Sequence, residues 1–163
     1  LFGVLVSHGS STVPRYIVDE INALGGNIQN AYGISIEELK AAIPCGIGKI
    51  NVDTDIRLAV TRNMKEFFHQ NPAKRDSASI GKVYQLLEEK KEQFDPRAFL
   101  PPIMDTVMYG NIPDQDTADL VSVIEKGVKE AIGTLIVEFG SFGKAPLVEQ
   151  VSLEEMAERY KKM

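Results

Sequence analysis

Apolar and polar positions alternate along the first part of the chain in blocks that predict strands and helices in turn. Residues 2–6, FGVLV, form a short run rich in β-formers, which predicts a strand covered on both faces. Residues 49–52, KINV, form a second run of this kind. Two segments between these runs and one after them carry apolar residues at helical spacing, and the second opens with a Ser35-x-x-Glu38 capping box. This order predicts parallel strands joined by helical crossovers.

The later part of the chain is helical in its spacing. It predicts an amphipathic, solvent-facing helix over residues 77–94 and a longer helix over 117–139 with a continuous apolar stripe. The Pro101–Pro102 pair argues against a smooth helix between them. We therefore divide the chain into residues 1–70, which hold two strand–helix units, and residues 71–163, a helical C-terminal extension that packs on the first part or on a neighbouring subunit.

Composition and charge exclude several classes of protein. The 163 residues are 44% hydrophobic and 25% charged with a formal net charge of −5, so a basic face for nucleic acid is not expected. No apolar run is long enough to span a bilayer, so no membrane partner is expected. Cys45 is the single cysteine, which excludes an internal disulfide and fits a reducing cytoplasm, and we expect it to be buried. The chain starts at Leu1, inside an apolar run, so we expect it to be the C-terminal part of a longer protein.

Polar residues follow both predicted strands. His8-Gly-Ser-Ser11 follows the first strand, and Asn51 and the Asp-Thr-Asp segment at residues 53–55 follow the second. In parallel α/β folds ligands bind at the carboxyl ends of the strands, so these residues are expected along one edge. A neutral imidazole suits zinc, and amides ahead of helix N-termini suit phosphate. The plainer interpretation is that His8 caps a turn and the Asp-Thr-Asp segment only begins a helix.

Three other groups are weaker candidates. We expect His69 to be solvated at the end of a helix. Lys49 is expected to precede its strand, on the face opposite the ligand site, which makes it a poor Schiff-base lysine. The glycine-containing segment at residues 140–146 lacks the spacing of a P-loop.

Three segments carry a resemblance to a known family. They are LVSHGSSTVP at residues 5–14, YGISIEELKAAIPCGIGKINVDTDIRLAVT at 32–61 and FDPRAFLPPIMD at 94–105. Together they closely resemble the C-terminal part of class II, metal-dependent fructose-bisphosphate aldolases, and most of all the Calvin-cycle subtype. The order H-G-S-S, N-x-D-T-D, F-D-P-R makes the resemblance specific. It covers residues 1 to about 106 and returns in the tail at 139–160, whereas the region between looks longer than in the family.

The resemblance implies a fold and a set of site residues. The chain would be the C-terminal portion of a (β/α)8 TIM barrel, with the strand before His8 as the seventh and the strand before Asn51 as the eighth. His8 matches one of three zinc-binding histidines. Arg97 matches an arginine that reaches a substrate phosphate from a neighbouring subunit. The full set of implied phosphate- and substrate-binding residues is Gly9, Ser10, Ser11, Asn51, Val52, Asp53, Thr54 and Arg97.

The resemblance also implies a reaction. It is zinc-dependent, reversible aldol cleavage of fructose 1,6-bisphosphate to dihydroxyacetone phosphate and glyceraldehyde 3-phosphate, a step of glycolysis, gluconeogenesis and the Calvin cycle. A homo-oligomer, a dimer or higher, and a monovalent cation beside Zn²⁺ are expected with it. In the family the acid/base aspartate and the other two zinc histidines lie upstream, so no catalytic residue is expected in this segment. We expect the segment alone to be inactive and to bind zinc weakly, because a catalytic zinc site needs three protein ligands.

Two alternatives stay open at this point. A tagatose-bisphosphate aldolase is the near alternative. Sedoheptulose 1,7-bisphosphate is a second candidate substrate for an aldolase that cleaves fructose 1,6-bisphosphate. The other alternative is a short, non-catalytic protein that binds phosphorylated ligands or a partner chain. The apolar stripe of the helix over residues 117–139 supports it, because such a stripe must be buried against something.

Overall fold

The computed structural model describes residues 5–148 and 150–162, in which a pair of strands is accompanied by seven α-helices. No helix in these ranges is both long and apolar enough to pass through a bilayer. Short 3-10 turns lie at Ile43–Cys45, Pro72–Asp76, Pro96–Ala98, Pro101–Ile103 and Ala145–Leu147. The strands and α-helices are β1 (Leu5–Ser7), α1 (Arg15–Ala23), α2 (Ile36–Ala42), β2 (Ile47–Ile50), α3 (Thr54–Gln70), α4 (Gly81–Glu89), α5 (Met104–Tyr109), α6 (Gln115–Glu138) and α7 (Leu153–Lys161).

β1 and β2 lie side by side and run parallel, as predicted. Leu5 pairs with Ile47 across the sheet, and α1 and α2 form the crossover between the strands. The observed architecture is therefore a helix-rich α/β fold. The prediction that the first strand is covered on both faces is wrong for its described part, because successive side chains of a strand point to opposite faces and both Leu5 and Val6 are exposed. Leu5 is 57% and Val6 45% exposed, and residues 2–4 lie outside the described residues.

Local hydrogen bonds set the bounds of α2. The capping box is confirmed, because the Glu38 N–H donates to Ser35 Oγ at 3.2 Å and the Ser35 N–H donates to Glu38 Oε2 at 3.0 Å. After α2 the chain makes a 3-10 turn to Gly46, whose φ of 104° lies in the left-handed region that favours glycine. Cys45 is exposed, so the prediction that it is buried is wrong. The reason is that this turn lies on the surface and presents its side chains to solvent.

α3 is the helix around which the core forms. One cluster of buried residues joins it to α4 and α6, and a second joins it to α1. α6 crosses α3 at Gly127, where a Cβ atom would lie 2.9 Å from the Ala59 carbonyl oxygen and from Val60 Cα. The absence of a side chain at Gly127 therefore lets the two helix backbones approach closely. The members of the first cluster with the least exposure are Met64, Phe68, Ile80, Val83, Leu87, Phe99 and Leu120.

The later helices are less regular than their spacing predicts. α4 is shorter than the predicted helix and buries Val83 and Leu87 in the core, so it is not only a solvent-facing helix. The proline pair breaks the helix as expected and forms a 3-10 turn before α5. The stripe of α6 is fully buried at Leu120 but 41% exposed at Ile132, so its later part lies open to solvent.

Candidate active site

The carboxyl ends of β1 and β2 bring His8 and Asn51 together. The Asn51 N–H donates to the Ser7 carbonyl oxygen at 3.0 Å, which continues the parallel ladder beyond β2. On the same edge, Asn51 Nδ2 lies 3.0 Å from His8 Nδ1. His8 is exposed, whereas Asn51 and the following Val52 are half-buried. The two strand ends therefore present an imidazole and an amide to the same space.

Lys49 fixes the orientation of the Asn51 amide. The prediction that Lys49 precedes its strand is wrong, because β2 begins at Ile47 directly after the turn and Lys49 lies within it. Its Nζ donates to Asn51 Oδ1. Since an ammonium group only donates, Oδ1 faces Lys49 and Nδ2 faces the imidazole. Nδ2 is then the amide atom in hydrogen-bond contact with His8 Nδ1, in the space between the two strand ends.

Ser11 joins the loop after β1 to the segment after β2. Its Oγ accepts the N–H of Asp53 at 3.2 Å and the N–H of Thr54 at 3.0 Å. Asp53 occupies the N-cap position of α3, but its side chain makes no capping hydrogen bond. The Ser11 hydroxyl thus satisfies amides at the start of α3, which are the kind of donors that bind anions.

The loop from Gly9 to Thr12 is fixed by hydrogen bonds to β1 and α3. Gly9 has a φ of +67° with open space where a Cβ atom would lie, so its backbone conformation is the reason for glycine here. Ser10 is fully buried and its hydroxyl bonds that of Ser7. The Thr12 N–H lies 3.0 Å from both carboxylate oxygens of Asp55, a residue of α3 that is only 3% exposed. These contacts tie the loop to the first turn of α3.

Four charged residues, Asp53, Arg57, Asp95 and Arg97, form an ion-pair chain at the rim of the site. Arg57 Nε donates to Asp53 Oδ1 at 2.8 Å, and its Nη1 donates to Asp95 Oδ2 at 2.5 Å. Asp95 also accepts from Arg97 Nε at 3.0 Å and from Arg97 Nη2 at 2.5 Å. The hydrogen bonds from Arg97, with the charge of Arg57 in support, hold the pKa of the Asp95 carboxyl below its usual range. The carboxylate therefore stays ionised near neutral pH.

The sequence interpretation gave no site role to Arg57 or Asp95, and it named Asp55 only as part of the Asp-Thr-Asp segment, without its contact to Thr12. Arg57 follows Asp53 by four residues, a spacing at which opposite charges pair on a helix, so this contact had a local signal. The contact between Thr12 and Asp55 spans 43 residues, and the contact between Arg57 and Asp95 spans 38. Such contacts between distant elements have no periodic signal in the sequence.

His8 is a fitting zinc ligand, but the described residues do not complete a site around it. Within residues 5–148 and 150–162, no group of three His, Cys, Asp or Glu side chains is placed to hold a metal ion. His8 places an imidazole at the strand ends, a group that zinc takes as a ligand, while its Nδ1 lies in hydrogen-bond contact with Asn51. His69 is exposed in the last turn of α3, as expected. The structure therefore fits one ligand position of a zinc centre.

The two parallel strands and their helical crossover place the chain among α/β proteins, a class in which ligands bind at the carboxyl ends of the strands. The family model described as class-II fructose-bisphosphate aldolase matches residues 2–144. The chain therefore belongs to the class-II fructose-bisphosphate aldolase family, and the resemblance seen in its motifs is confirmed.

Individual relatives agree with this assignment. The fructose-bisphosphate aldolase of Nostoc sp. (strain PCC 7120) is 33% identical over 158 residues, which cover 97% of this chain and 33% of that protein. The fructose-bisphosphate aldolase of Xanthobacter flavus is 33% identical over 156 residues, 96% of this chain and 33% of that protein. The class 2 fructose-bisphosphate aldolase of Synechocystis sp. (strain PCC 6803) is 30% identical over 158 residues, with 97% and 33% covered. The chain spans about a third of the length of the curated relatives it matches.

Proposed function

We propose that this chain supplies part of the active site of a zinc-dependent aldolase that reversibly cleaves fructose 1,6-bisphosphate. The products are dihydroxyacetone phosphate and glyceraldehyde 3-phosphate, and the reaction serves glycolysis, gluconeogenesis and carbon fixation. The observation that carries the proposal is the 3.0 Å approach of His8 to Asn51 between two parallel strand ends. Residues 1–70 would be the last two strand–helix units of a (β/α)8 barrel, and residues 71–163 a helical extension of it.

His8 would hold the zinc ion as one of its protein ligands. A bound zinc ion supplies a Lewis acid for the carbonyl group of the ketose. The hydrogen bond between Asn51 and His8 sets the orientation of the imidazole, and Lys49 in turn orients Asn51. The acid/base group and the remaining zinc ligands would come from residues outside this chain.

The loop of Gly9, Ser10 and Ser11 and the phosphate segment, residues 51–54, would bind one phosphate of the sugar. Ser11 Oγ bonds the Asp53 and Thr54 amides, and a phosphate oxygen would accept those same N–H groups. The released Ser11 hydroxyl would then donate to the phosphate. Arg97 would bind the second phosphate of the sugar in a neighbouring subunit of a homo-oligomer, for which its planar fork of donors is suited.

The two histidines of the chain give a direct test of the metal role. In the complete natural protein, we expect His8→Ala to weaken zinc binding at least about 100-fold and to abolish cleavage of fructose 1,6-bisphosphate. The matched control, His69→Ala, should leave both unchanged, because His69 is exposed at the far end of α3. Equal zinc affinity in the two variants, measured by competition with a chelating dye, would show that His8 is not a ligand.

The isolated 163-residue chain should bind zinc only weakly and cleave no sugar. One imidazole is far from the three protein ligands of a catalytic zinc centre. A zinc titration that gave sub-micromolar affinity for this chain would contradict the expectation. Catalytic turnover by this chain alone would contradict it as well.

A non-catalytic binding protein is the second candidate, and the exposed later part of α6 favours it. Ile132 is 41%, Ile136 40% and Val137 59% exposed on this helix, which leaves an apolar surface available to a partner chain. Cleavage of fructose or tagatose bisphosphate by the complete natural protein would reject this candidate, and the ratio of the two rates would identify the sugar. Phosphate binding without cleavage would favour it.

A further inference from the structure

We propose that Asp95 is a positioning residue that orients Arg97 and couples it, through Arg57, to Asp53 of the phosphate segment. The inference rests on the proposed function, because the ligand that Arg97 would meet is a sugar phosphate. Asp95 itself touches neither substrate nor metal in this proposal. It acts through the two guanidinium groups that flank it.

Helix α3, which begins at the phosphate segment, holds the residues before Arg97 by hydrogen bonds. Asp53, Arg57 and Thr61 follow one another at intervals of four residues and so lie on one face of α3. Arg57 bonds Asp95, and one turn later Thr61 Oγ1 donates to the Phe94 carbonyl oxygen at 2.7 Å. Thr61 is fully buried. Two contacts from one rigid helix therefore hold the backbone and the carboxylate of this segment.

Asp95 holds one edge of the Arg97 guanidinium and leaves the other edge open. Its carboxylate takes Arg97 Nε and Nη2, and its Oδ1 also accepts the Arg97 backbone N–H at 3.0 Å. Among the described contacts, Arg97 Nη1 has no hydrogen bond, and the side chain is 69% exposed. The outer edge of the fork is thus free for a phosphate while its direction is already fixed. Such preorganisation reduces the side-chain entropy that ligand binding costs.

The charges of the ion-pair chain alternate, so each guanidinium group lies beside a carboxylate that both balances its charge and holds it in place. Asp95 is the more buried of the two carboxylates, with 22% of its side chain exposed against 65% for Asp53. Removing the charge of Asp95 leaves Arg57 with Asp53 alone and leaves Arg97 free to rotate into solvent. The competing explanation is that Asp95 only caps the 3-10 turn at Pro96–Ala98.

The substitution Asp95→Asn separates these two roles. Asparagine keeps a side-chain oxygen that accepts the backbone N–H of Arg97, so the cap of the 3-10 turn survives while the negative charge is lost. The matched control is Asp114→Asn, which makes the same change at the N-cap of α6, where Asp114 Oδ1 accepts the Thr117 N–H at 2.8 Å. In the complete natural protein we expect Asp95→Asn to raise KM for fructose 1,6-bisphosphate about tenfold with kcat within about twofold. Asp114→Asn should change neither constant.

A second readout does not depend on activity. We expect the Nε–Hε resonances of both Arg57 and Arg97 in ¹⁵N–¹H spectra to shift in Asp95→Asn and to stay in place in Asp114→Asn. Arg57→Gln, which interrupts the ion-pair chain on the other side, should also shift the resonance of Arg97. An unmoved Arg97 resonance in Asp95→Asn overturns the proposal, and so does an unchanged KM. A lower KM overturns it as well, because it would mean that the carboxylate only competes with phosphate for Arg97. If the unaltered protein cleaves no sugar bisphosphate, the proposed function fails, and the resonances still decide the role of Asp95.

Discussion

At the scale of single residues, a few buried or half-buried polar side chains determine how the site is built. Ser11 and Asp55 each connect the loop after β1 to α3. The Ser11 hydroxyl accepts backbone N–H groups at the start of α3, and the Asp55 carboxylate accepts the N–H of Thr12. A buried polar group is stabilising only when it is hydrogen-bonded, and both of these are. Lys65 differs from them: it is 4% exposed, and its Nζ makes one long hydrogen bond of 3.4 Å to the Leu87 carbonyl oxygen.

Burial lowers the pKa of Lys65, with Glu88 acting in the opposite direction. Because the pKa is lower in the folded protein than in the unfolded chain, the charged ammonium disfavours folding. Stability from this group is present above the ordinary lysine pKa of about 10.4 and is lost as pH falls through the lowered folded value. Lys65 therefore lowers the free energy of unfolding at neutral pH.

We predict that Lys65→Met raises the free energy of unfolding at pH 7 by roughly 1 kcal/mol, because methionine fills the same space without a charge. The gain should shrink as pH approaches 10. Urea unfolding at both pH values measures it, and Lys82→Met, at an exposed position of α4, is the control that should show no gain. A loss of stability at pH 7 in Lys65→Met would mean that the ammonium is well paired in the folded state.

At the scale of elements, α3 performs two tasks along its length. Its first turns carry Asp55 and Arg57, which bond the site loops, and its later turns carry Met64 and Phe68, which fill the core. The close crossing with α6 at Gly127 fixes the helix between these two regions. A shift of α3 in the core would therefore move the amides that face the strand ends.

The two glycines within α6 give opposite predictions. Gly127→Ala should lower the free energy of unfolding by about 1–2 kcal/mol, because its Cβ would lie 2.9 Å from the backbone of α3. Gly133→Ala should raise it by up to about 1 kcal/mol, since its Cβ would meet nothing within 4 Å and alanine favours the helix. Chemical denaturation of both variants measures the difference. Equal changes in the two would show that the crossing is looser than 2.9 Å suggests.

The elements also show how much could be predicted from the sequence. The capping box at Ser35 and the proline break in residues 94–105 were predictable, because both depend on neighbouring residues. The parallel pairing of the strands followed from their order, and with it the meeting of His8 and Asn51. The length of α4 was not predictable, since long-range packing rather than periodicity sets where it ends.

The site residues divide in the same way. A histidine after a strand was visible as a candidate, but its hydrogen bond to Asn51 and the role of Lys49 depend on which residue begins β2. Lys49 and Cys45 were both misplaced because the turn at Gly46 determines where the strand starts and which side chains face solvent. The contact of Arg57 with Asp95 could not be predicted from the sequence, because only the fold brings two residues 38 positions apart together.

At the scale of the whole molecule, burial is uneven. Leu120 of α6 is fully buried, whereas every described residue of α7 is exposed, including Leu153 at 82% and Tyr160 at 69%. Stability should follow this distribution, because local unfolding energies track buried apolar contacts. The folded core therefore depends on α3, α4 and α6 and not on α7.

Deletion of residues 151–163 should leave the melting temperature unchanged within about 2 °C. The control, Leu120→Ala, should lower the free energy of unfolding by about 2–5 kcal/mol, because it empties a fully buried position. Thermal melting followed by circular dichroism compares the two. A fall of more than about 5 °C on deletion would show that α7 packs against the body of the protein in solution.

The separation of His8 from Asn51 has a consequence for synthesis on the ribosome. The two residues are 43 positions apart, so at a rate of 5–20 residues per second His8 emerges about 2–9 s before its partner. During that interval β1 has no β2 to pair with, so the N–H and C=O groups along its edge stay open to other nascent chains. The pairing of the two strands, and with it the contact between His8 and Asn51, therefore forms only after the whole crossover has been synthesised.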